Sequence, residues 1–351
     1  MRRRAQRVPD VLAAVDLGSN SFHLVVARYR NGQLLVIDRL REPVQLASGL
    51  DPDGRLDPEV ARRALACLKR FGQRIADLGA DAVRVAGTSA LRRVRRKETF
   101  LARASDALGH PVQVISGREE ARLIYAGVAQ SLPMKSPGNR LVVDVGGGST
   151  ELIIGRGHEP LLLESVNLGC VDLSQRCFAD GKLTRKRFER ARLAAQQLFE
   201  PVQEAFIRQG WESAAGSSGT ARTVFEACRE MHPKTTAMTP ACIEDLIEVL
   251  CRAGHIDAIP LQAVTPDRRN VIAGGVTILA AVFSQLQIRE MRWSEGAMRE
   301  GLLHDLVGRY QREDARDRTV RSMQQRYHVN LAQAARVENT AMRLFEQVRK
   351  S

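Results

Sequence analysis

The sequence predicts a duplicated α/β fold, with two related domains facing each other across a cleft and a short helical extension at the C-terminus. Three observations predict it. The segment Asp16-Leu-Gly-Ser-Asn-Ser21 recurs as Asp144-Val-Gly-Gly-Gly-Ser149 at a constant offset of 128 residues. In each copy apolar β-type residues precede the Asp (13–15 and 141–143) and follow the Ser (24–27 and 152–154), the mark of an internal repeat. Strand-like and helix-like periods alternate after an opening β-meander, as in α/β folds. Finally, 351 residues with 44% hydrophobic and 26% charged side chains make ordinary globular composition of two-domain length, excluding disorder and collagen-like repeats. The expected division is 1–134, 135–308 and a helical segment 309–351.

In chain order, residues 11–15, 22–29 and 33–39 read as an antiparallel meander, with Gly18 and Asn31-Gly32 in the turns. Asp57 caps a helix with Pro58 at its first position. Its stripe of Val60, Ala64, Leu68, Phe71, Ile75 and Leu78 should face a sheet. Short strands at 82–86 and 112–115 flank one basic helix starting near Ala90, and Ser116-Gly-Arg-Glu119 forms a capping box for a helix through Leu123, Ile124 and Val128. The first half should end in the 133–139 loop, and the second restarts at 140–155. The uncharged run 270–288 contains Gly274, Gly275, Thr277 and Ser284, so it reads as a buried helix and not as the ~20 mainly apolar residues of a membrane span.

The net charge of +13 favours a polyanionic partner. Six scattered cysteines without a C-x-x-C pair read as buried thiols of a reducing compartment. The Arg-rich N-terminus is followed by Asp10 and Asp16 and lacks a signal cleavage site, so a cytoplasmic location is expected. There is no G-x-x-x-x-G-K-[ST] loop, G-x-S-x-G elbow or H-E-x-x-H helix, which removes P-loop NTPases and zinc proteases.

Asp144 ends a strand just before Gly146, Gly147 and Gly148, where a carboxylate can hold Mg²⁺ while glycine amides and Ser149 cradle phosphate oxygens. Glu151 lies across the turn. One such copy reads equally as a Gly-rich hairpin with an Asp turn; two copies favour phosphate binding. Position 23 is His where the second copy has Glu151, so metal binding should favour the second half, with Asp16 a secondary ligand. Glu119 is taken by the cap, and Glu120 sits about 100° further round the helix, favoured by its dipole. From spacing alone Glu120 reads as a solvated first-turn residue. Gly87-Thr-Ser-Ala-Leu-Arg92 offers hydroxyls, amides and an Arg that can clamp phosphate, with Arg93, Arg95, Arg96 and Lys97 extending the positive field. Ser217, Ser218, Gly219 and Thr220, in a small-residue turn opening another helix, suit a further phosphate or a nucleotide.

These segments, with Ser116-Gly-Arg-Glu-Glu-Ala-Arg122 and Ser294-Glu-Gly-Ala-Met-Arg-Glu-Gly301, resemble the exopolyphosphatase and guanosine pentaphosphate phosphohydrolase (Ppx/GppA) family over residues 11 to about 308. That family lies within the actin, Hsp70 and sugar-kinase (ribonuclease H-like) superfamily. The resemblance implies that Glu120 is the catalytic base, that Asp144 and Glu151 bind Mg²⁺, and that Asn20, Ser21 and Arg92 contact phosphate. It implies hydrolysis of a terminal phosphoanhydride by a water that Glu120 orients, without a covalent intermediate.

The charge and arginine clusters favour inorganic polyphosphate, releasing orthophosphate; guanosine pentaphosphate is the alternative substrate, and a non-catalytic sensor of either the second alternative. No base pocket is recognisable in the sequence. Nucleic acid is disfavoured, since Trp211 and Trp293 are the only large stacking surfaces among 5% aromatics. No membrane partner is expected, and a homodimer is left open. At the C-terminus, Arg321 to Asn330 and the helical stretch 332–348 resemble the start of the all-helical domain of longer members, stopping at Ser351 before any H…H-D cluster.

Overall fold

β1 (Val11–Leu17), β2 (Phe22–Arg30) and β3 (Gln33–Glu42) form the expected meander in the computed structural model, which describes residues 8–349 apart from 52, 133–137, 312–319, 321–322 and 325–326. Asp57 caps α1 (Pro58–Arg74), accepting from Glu59 N at 2.9 Å and Val60 N at 3.0 Å. Ala64, Leu68 and Phe71 of its stripe are fully buried in the same cluster as Ala13 and Val15 of the sheet. β4 (Val83–Gly87) and β5 (Gln113–Val114) extend that sheet in parallel, giving the order β3-β2-β1-β4-β5.

The basic helix expected from Ala90 is two helices, α2 (Ser89–Arg93) and α3 (Lys97–Leu108). Between them Val94 is extended and Arg96 is left-handed at φ 51°, while Arg95 N donates to Gly54 O at 2.7 Å. A tertiary hydrogen bond thus overrides the helical period at this point.

β6 (Asn139–Val145), β7 (Thr150–Arg156) and β8 (Glu159–Val166) repeat the meander, followed by α5 (Cys170–Cys177), α6 (Arg185–Gln209), β9 (Ser213–Ser217), α7 (Ser218–Met231), α8 (Pro240–Ala253), α9 (Arg269–Leu286) and β10 (Arg292–Trp293). The second sheet runs β8-β7-β6-β9-β10, the topology of the first. The register carries the repeat as well: Asp16 pairs with His23 across the first hairpin, and Asp144 with Glu151 across the second. The fold is therefore the duplicated actin-like α/β class. Among the described residues, α9 is the one helix long and apolar enough to cross a membrane; 78% of it is buried inside the protein. All six cysteines are free; Cys177 and Cys251 are only half-buried.

α4 (Gly117–Ser131) and α10 (Met298–Gln311) lie as a layer between the sheets. Their Leu123, Val128, Leu302 and Leu306 share a core with Leu12, Ala14 and Val25 of the first sheet and Val142, Ile153 and Ala215 of the second. The two helices approach so closely that a Cβ on Gly301 would overlap the Leu123 carbonyl, and one on Gly127 the Ala297 carbonyl. Residues 298–308, grouped by sequence with the second half, thus pack on α4, β1 and β4 of the first. The expected boundary loop falls largely on residues 133–137, outside the described residues. The C-terminal helix, Leu331–Arg349, leaves Val337, Met342, Leu344 and Phe345 exposed.

Candidate active site

Strand alternation aims the key carboxylates. Leu12 and Ala14 face the α4 layer, so Asp16, two residues on, faces it too; Val142 does the same for Asp144. Their cross-strand partners His23 and Glu151 share those faces. Glu120, in the first turn of α4, sits where the two strand ends converge. A cavity of about 1070 Å³ opens there between the halves, lined by Asp16, His23, Glu120, Asp144 and both hairpin turns.

The turns are oriented by hydrogen bonds from behind. In the first, Ser19 O accepts from Ala47 N at 2.9 Å and Asn20 O from Gln45 N at 2.8 Å. In the second, Gly146 O and Gly147 O accept from Cys170 N and Val171 N of α5, each at 2.9 Å. Because a trans peptide points its N–H opposite to its C=O, these bonds turn the N–H groups of Asn20, Ser21, Gly147 and Gly148 the other way. Backbone N–H groups oriented in this way have the arrangement of an anion nest. The second turn needs its glycines: a Cβ on Gly147 would lie 2.7 Å from Ser19 Cβ, and one on Gly148 2.8 Å from Ser89 Oγ. Gly169 passes directly beneath, where a Cβ would overlap the Gly147 carbonyl and Gly148 N. We expect Gly169→Ala to cost about 1–3 kcal/mol of stability and to weaken phosphate binding by displacing this nest. Denaturant unfolding and phosphate titration of the variant check both effects.

Burial dominates the electrostatics. It pushes Glu120 up to about 7, against the pull of Arg92, with the Asp144 charge adding to the rise. Burial likewise raises Asp144 to about 6, opposed by a Ser217 hydrogen bond and by Arg299. Asp16 rises to about 8 through burial and then the Glu120 charge. Glu151 is held well above the usual carboxylate range by burial, then by Glu120 and Asp144. His23 is pushed down to about 3 by burial and Arg299, so the first copy presents a neutral imidazole where the second has a carboxylate.

The cavity wall gathers Asp16, Asn20, Ser21, Glu120, Asp144, Gly146, Gly147, Ser149, Ser218, Gly219 and Thr220 of the sequence-expected set. Arg92, Gly148, Glu151 and Ser217 are not part of that lining. Arg92 Nη1 donates to Glu120 Oε2 at 2.8 Å and to Ile115 O at 3.0 Å, so it holds the carboxylate from the side. Ser217 Oγ donates to Gly296 O at 3.1 Å. Ser218 is left-handed at φ 82°, secured by its Oγ, which donates to Val145 O at 3.1 Å and accepts from Thr220 N at 3.2 Å.

Glu120 itself is buried, at 8% exposure, and not a solvated first-turn residue. The Ser116 side of the capping box is present, its Oγ accepting from Glu119 N at 3.2 Å. The Glu119 carboxylate grips Arg122 at 2.8 and 3.0 Å.

Sequence reasoning missed the arginines of the cavity wall, Arg39, Arg41, Arg222, Arg229, Arg268 and Arg299, and the last two bear most directly on the site. Arg299 begins α10 and its charge acts on Asp16, Asp144 and His23; the Ser294–Gly301 segment contained it without revealing its role. Arg268, just before α9, lies against Gly219, and burial lowers its pKa. No local signal marks it.

The donor set fits Mg²⁺. Glu151 Oε1 accepts from Ser165 Oγ at 2.8 Å, but its buried Oε2 has no hydrogen-bond partner. Several buried carboxylates that raise one another's pKa call for a cation. No three His, Cys, Asp or Glu side chains form a ready metal cage among the described residues. Mg²⁺ needs none, since it takes one or two carboxylates and completes its shell with water and phosphate.

Comparison with known proteins identifies the family. Residues 25–310 match the model of the Ppx/GppA phosphatase family, and residues 315–351 that of its domain III. A Ppx/GppA enzyme of Aquifex aeolicus is similar at 26% identity and TM-score 0.69, over 84% of this chain and 98% of that one. An exopolyphosphatase of Cytophaga hutchinsonii is similar at 25% identity and TM-score 0.75, over 85% and 98%. With the family model spanning both hairpins' second strands, the Glu120 helix and α10, the chain belongs to the Ppx/GppA phosphatase family and is a phosphohydrolase.

Proposed function

We propose that the cleft is the active site of an Mg²⁺-dependent exopolyphosphatase, which removes orthophosphate from the end of inorganic polyphosphate. The observation that carries this reading is a buried carboxylate, Glu120, held between two anion nests with its pKa raised to about 7. A base poised there is half-ionised near neutrality and still basic enough to take a proton. The terminal phosphoryl group sits against the N–H groups of Asn20, Ser21 and Gly147, which line the cavity. Glu120 orients a water in line with the terminal phosphorus and accepts its proton as the new O–P bond forms. The bridging oxygen leaves with the shortened chain. Arg299 and Arg268 balance charge on the phosphate oxygens. Asp144 and Glu151 would hold Mg²⁺, which when bound would neutralise those oxygens further.

The test is orthophosphate release with Mg²⁺ from long-chain polyphosphate and, separately, from guanosine pentaphosphate. Polyphosphate should be the better substrate, with no internal fragments on a gel; preference for the nucleotide or random fragments would overturn the reading. We further expect Asp144→Asn to raise the Mg²⁺ concentration for half-maximal activity by about tenfold or more. An unchanged metal titration would move the ligand role elsewhere.

Guanosine pentaphosphate remains the second reading because of one observation. Trp293 lines the cavity, stacks on Phe225 with centroids 6.2 Å apart, and has Arg222 over its ring at 5.8 Å. That platform can take a purine base. Trp293→Ala should therefore spare polyphosphate hydrolysis; selective loss of nucleotide hydrolysis would mark the platform as a base subsite.

A further inference from the structure

A second concave surface lies outside the cleft, between the loop before α1 and the start of α3. It encloses about 450 Å³ and is ringed by Arg55, Arg95, Arg96 and Arg103, over a floor that includes Val94 and Phe100. No carboxylate lines it. Many other surface arginines are paired with carboxylates, among them Arg39 with Glu295, Arg41 with Asp267 and Arg118 with Glu164. Among the described residues, none of these four guanidinium groups makes a hydrogen bond or ion pair. Four like charges facing one hollow repel each other, an arrangement that folding alone does not favour.

The hollow is also built and not a chance cluster of mobile side chains. Arg55 N donates to Asp51 Oδ1 at 2.8 Å, Gly54 N to Asp51 O at 3.0 Å, and Arg95 N to Gly54 O at 2.7 Å, tying one rim to the other. Gly54 is left-handed at φ 75°, and a Cβ there would overlap the Arg93 carbonyl. Arg103 lies on α3, and the left-handed Arg96 caps the start of that helix, so both border the hollow. The short helix α2 connects this hollow along the chain to Thr88 of the cavity wall and to Arg92 beside Glu120.

We propose that this arginine-ringed hollow is an exosite that grips a distal stretch of an inorganic polyphosphate chain whose end occupies the cleft. The proposal rests on the polyphosphate reading of the cleft. Guanidinium forks pair with phosphate oxygens in a geometry that lysine does not reproduce. The chemistry also selects against nucleic acid: the aromatic ring here, Phe100, is 8% exposed and serves as floor, leaving no face on which bases can stack. A chain long enough to reach both sites gains affinity through effective concentration, whereas a short one cannot.

The test is binding of long-chain polyphosphate by the full chain carrying Glu120→Gln, with and without Arg55→Gln, Arg95→Gln, Arg96→Gln and Arg103→Gln, across a salt series. The exosite predicts about tenfold or greater loss of affinity at low salt, and a shallower dependence of log K on log salt, by about 0.7 per phosphate contact removed. In the Glu120 background the four-lysine counterpart should retain the salt slope but not the full affinity. With Glu120 intact, the four-Gln variant should hydrolyse tripolyphosphate normally. Unchanged long-chain affinity and slope would overturn the exosite, as would loss of single-stranded RNA binding with polyphosphate binding intact. If the wild type hydrolyses only guanosine pentaphosphate yet the hollow still governs polyphosphate binding, the reading of the cleft fails and the exosite stands.

Discussion

Glu120→Gln is expected to lower kcat by about 10²–10⁴-fold while leaving substrate affinity within a few-fold of wild type. The amide keeps the shape of the carboxylate and can still meet Arg92, which donates to Glu120 Oε2 at 2.8 Å, but it cannot accept the proton of the attacking water. The pH profile provides a second reading of the same group. A base works only when deprotonated, and burial lifts Glu120 to about 7, so wild-type activity should rise with pH through that value. The residual activity of the variant should lack that limb. If binding falls as far as turnover, or if the limb survives, Glu120 is not the base. Rapid-mix measurement of a single turnover separates the proton-transfer step from product release.

The largest effect on stability is expected at Asp305. Arg122 and Asp305 are almost completely buried, at 5% and 2% side-chain exposure, and meet at 2.6 Å between α4 and α10. Arg309 approaches the same carboxylate at 3.0 Å. Asp305→Ala removes the only negative charge among these side chains on the α10 side and leaves Arg122 partly unpaired in a low-dielectric layer, which costs about 3 kcal/mol or more. Denaturant unfolding should show the loss. The double change Arg122→Met with Asp305→Leu should recover most of it, since an apolar pair of similar volume avoids the desolvation of both ions. If the double variant is as unstable as the single one, the pair matters by its hydrogen bonds and not by its charge. Because Arg122 is two residues from Glu120, the single variant should also lose activity, by loosening the turn that positions the base.

The two hairpins were legible from the repeat alone, because a turn lacking side chains leaves a compositional trace that an offset of 128 residues makes unmistakable. The N-caps at Asp57 and Ser116 were equally legible, since capping is a contact between neighbours in the chain. Glu120 was different. Spacing marked it only as the carboxylate left over beside Glu119, and a solvated role was the natural reading; family resemblance was needed to single it out. Arg92 was placed in the site, but its bond to Glu120, 28 residues away, left no trace in the local sequence. The split of the basic helix at Arg96 depended on Gly54, which is no nearer in sequence.

What the sequence determined by itself was therefore the local geometry of the binding elements: two strand-turn-strand nests, the helix start that bears Glu120, and the duplication that makes them face one another. Only the tertiary structure decided how those elements act. It brought α10 and Arg299 to the cavity, placed Arg268 against Gly219, and largely desolvated Asp16, Glu120, Asp144 and Glu151 along the cleft. The reason is physical. Turn and cap preferences arise from hydrogen bonds a few residues apart, and so are written in consecutive positions, whereas a raised carboxylate pKa is set by desolvation and by charges that arrive from distant segments only when the layers close.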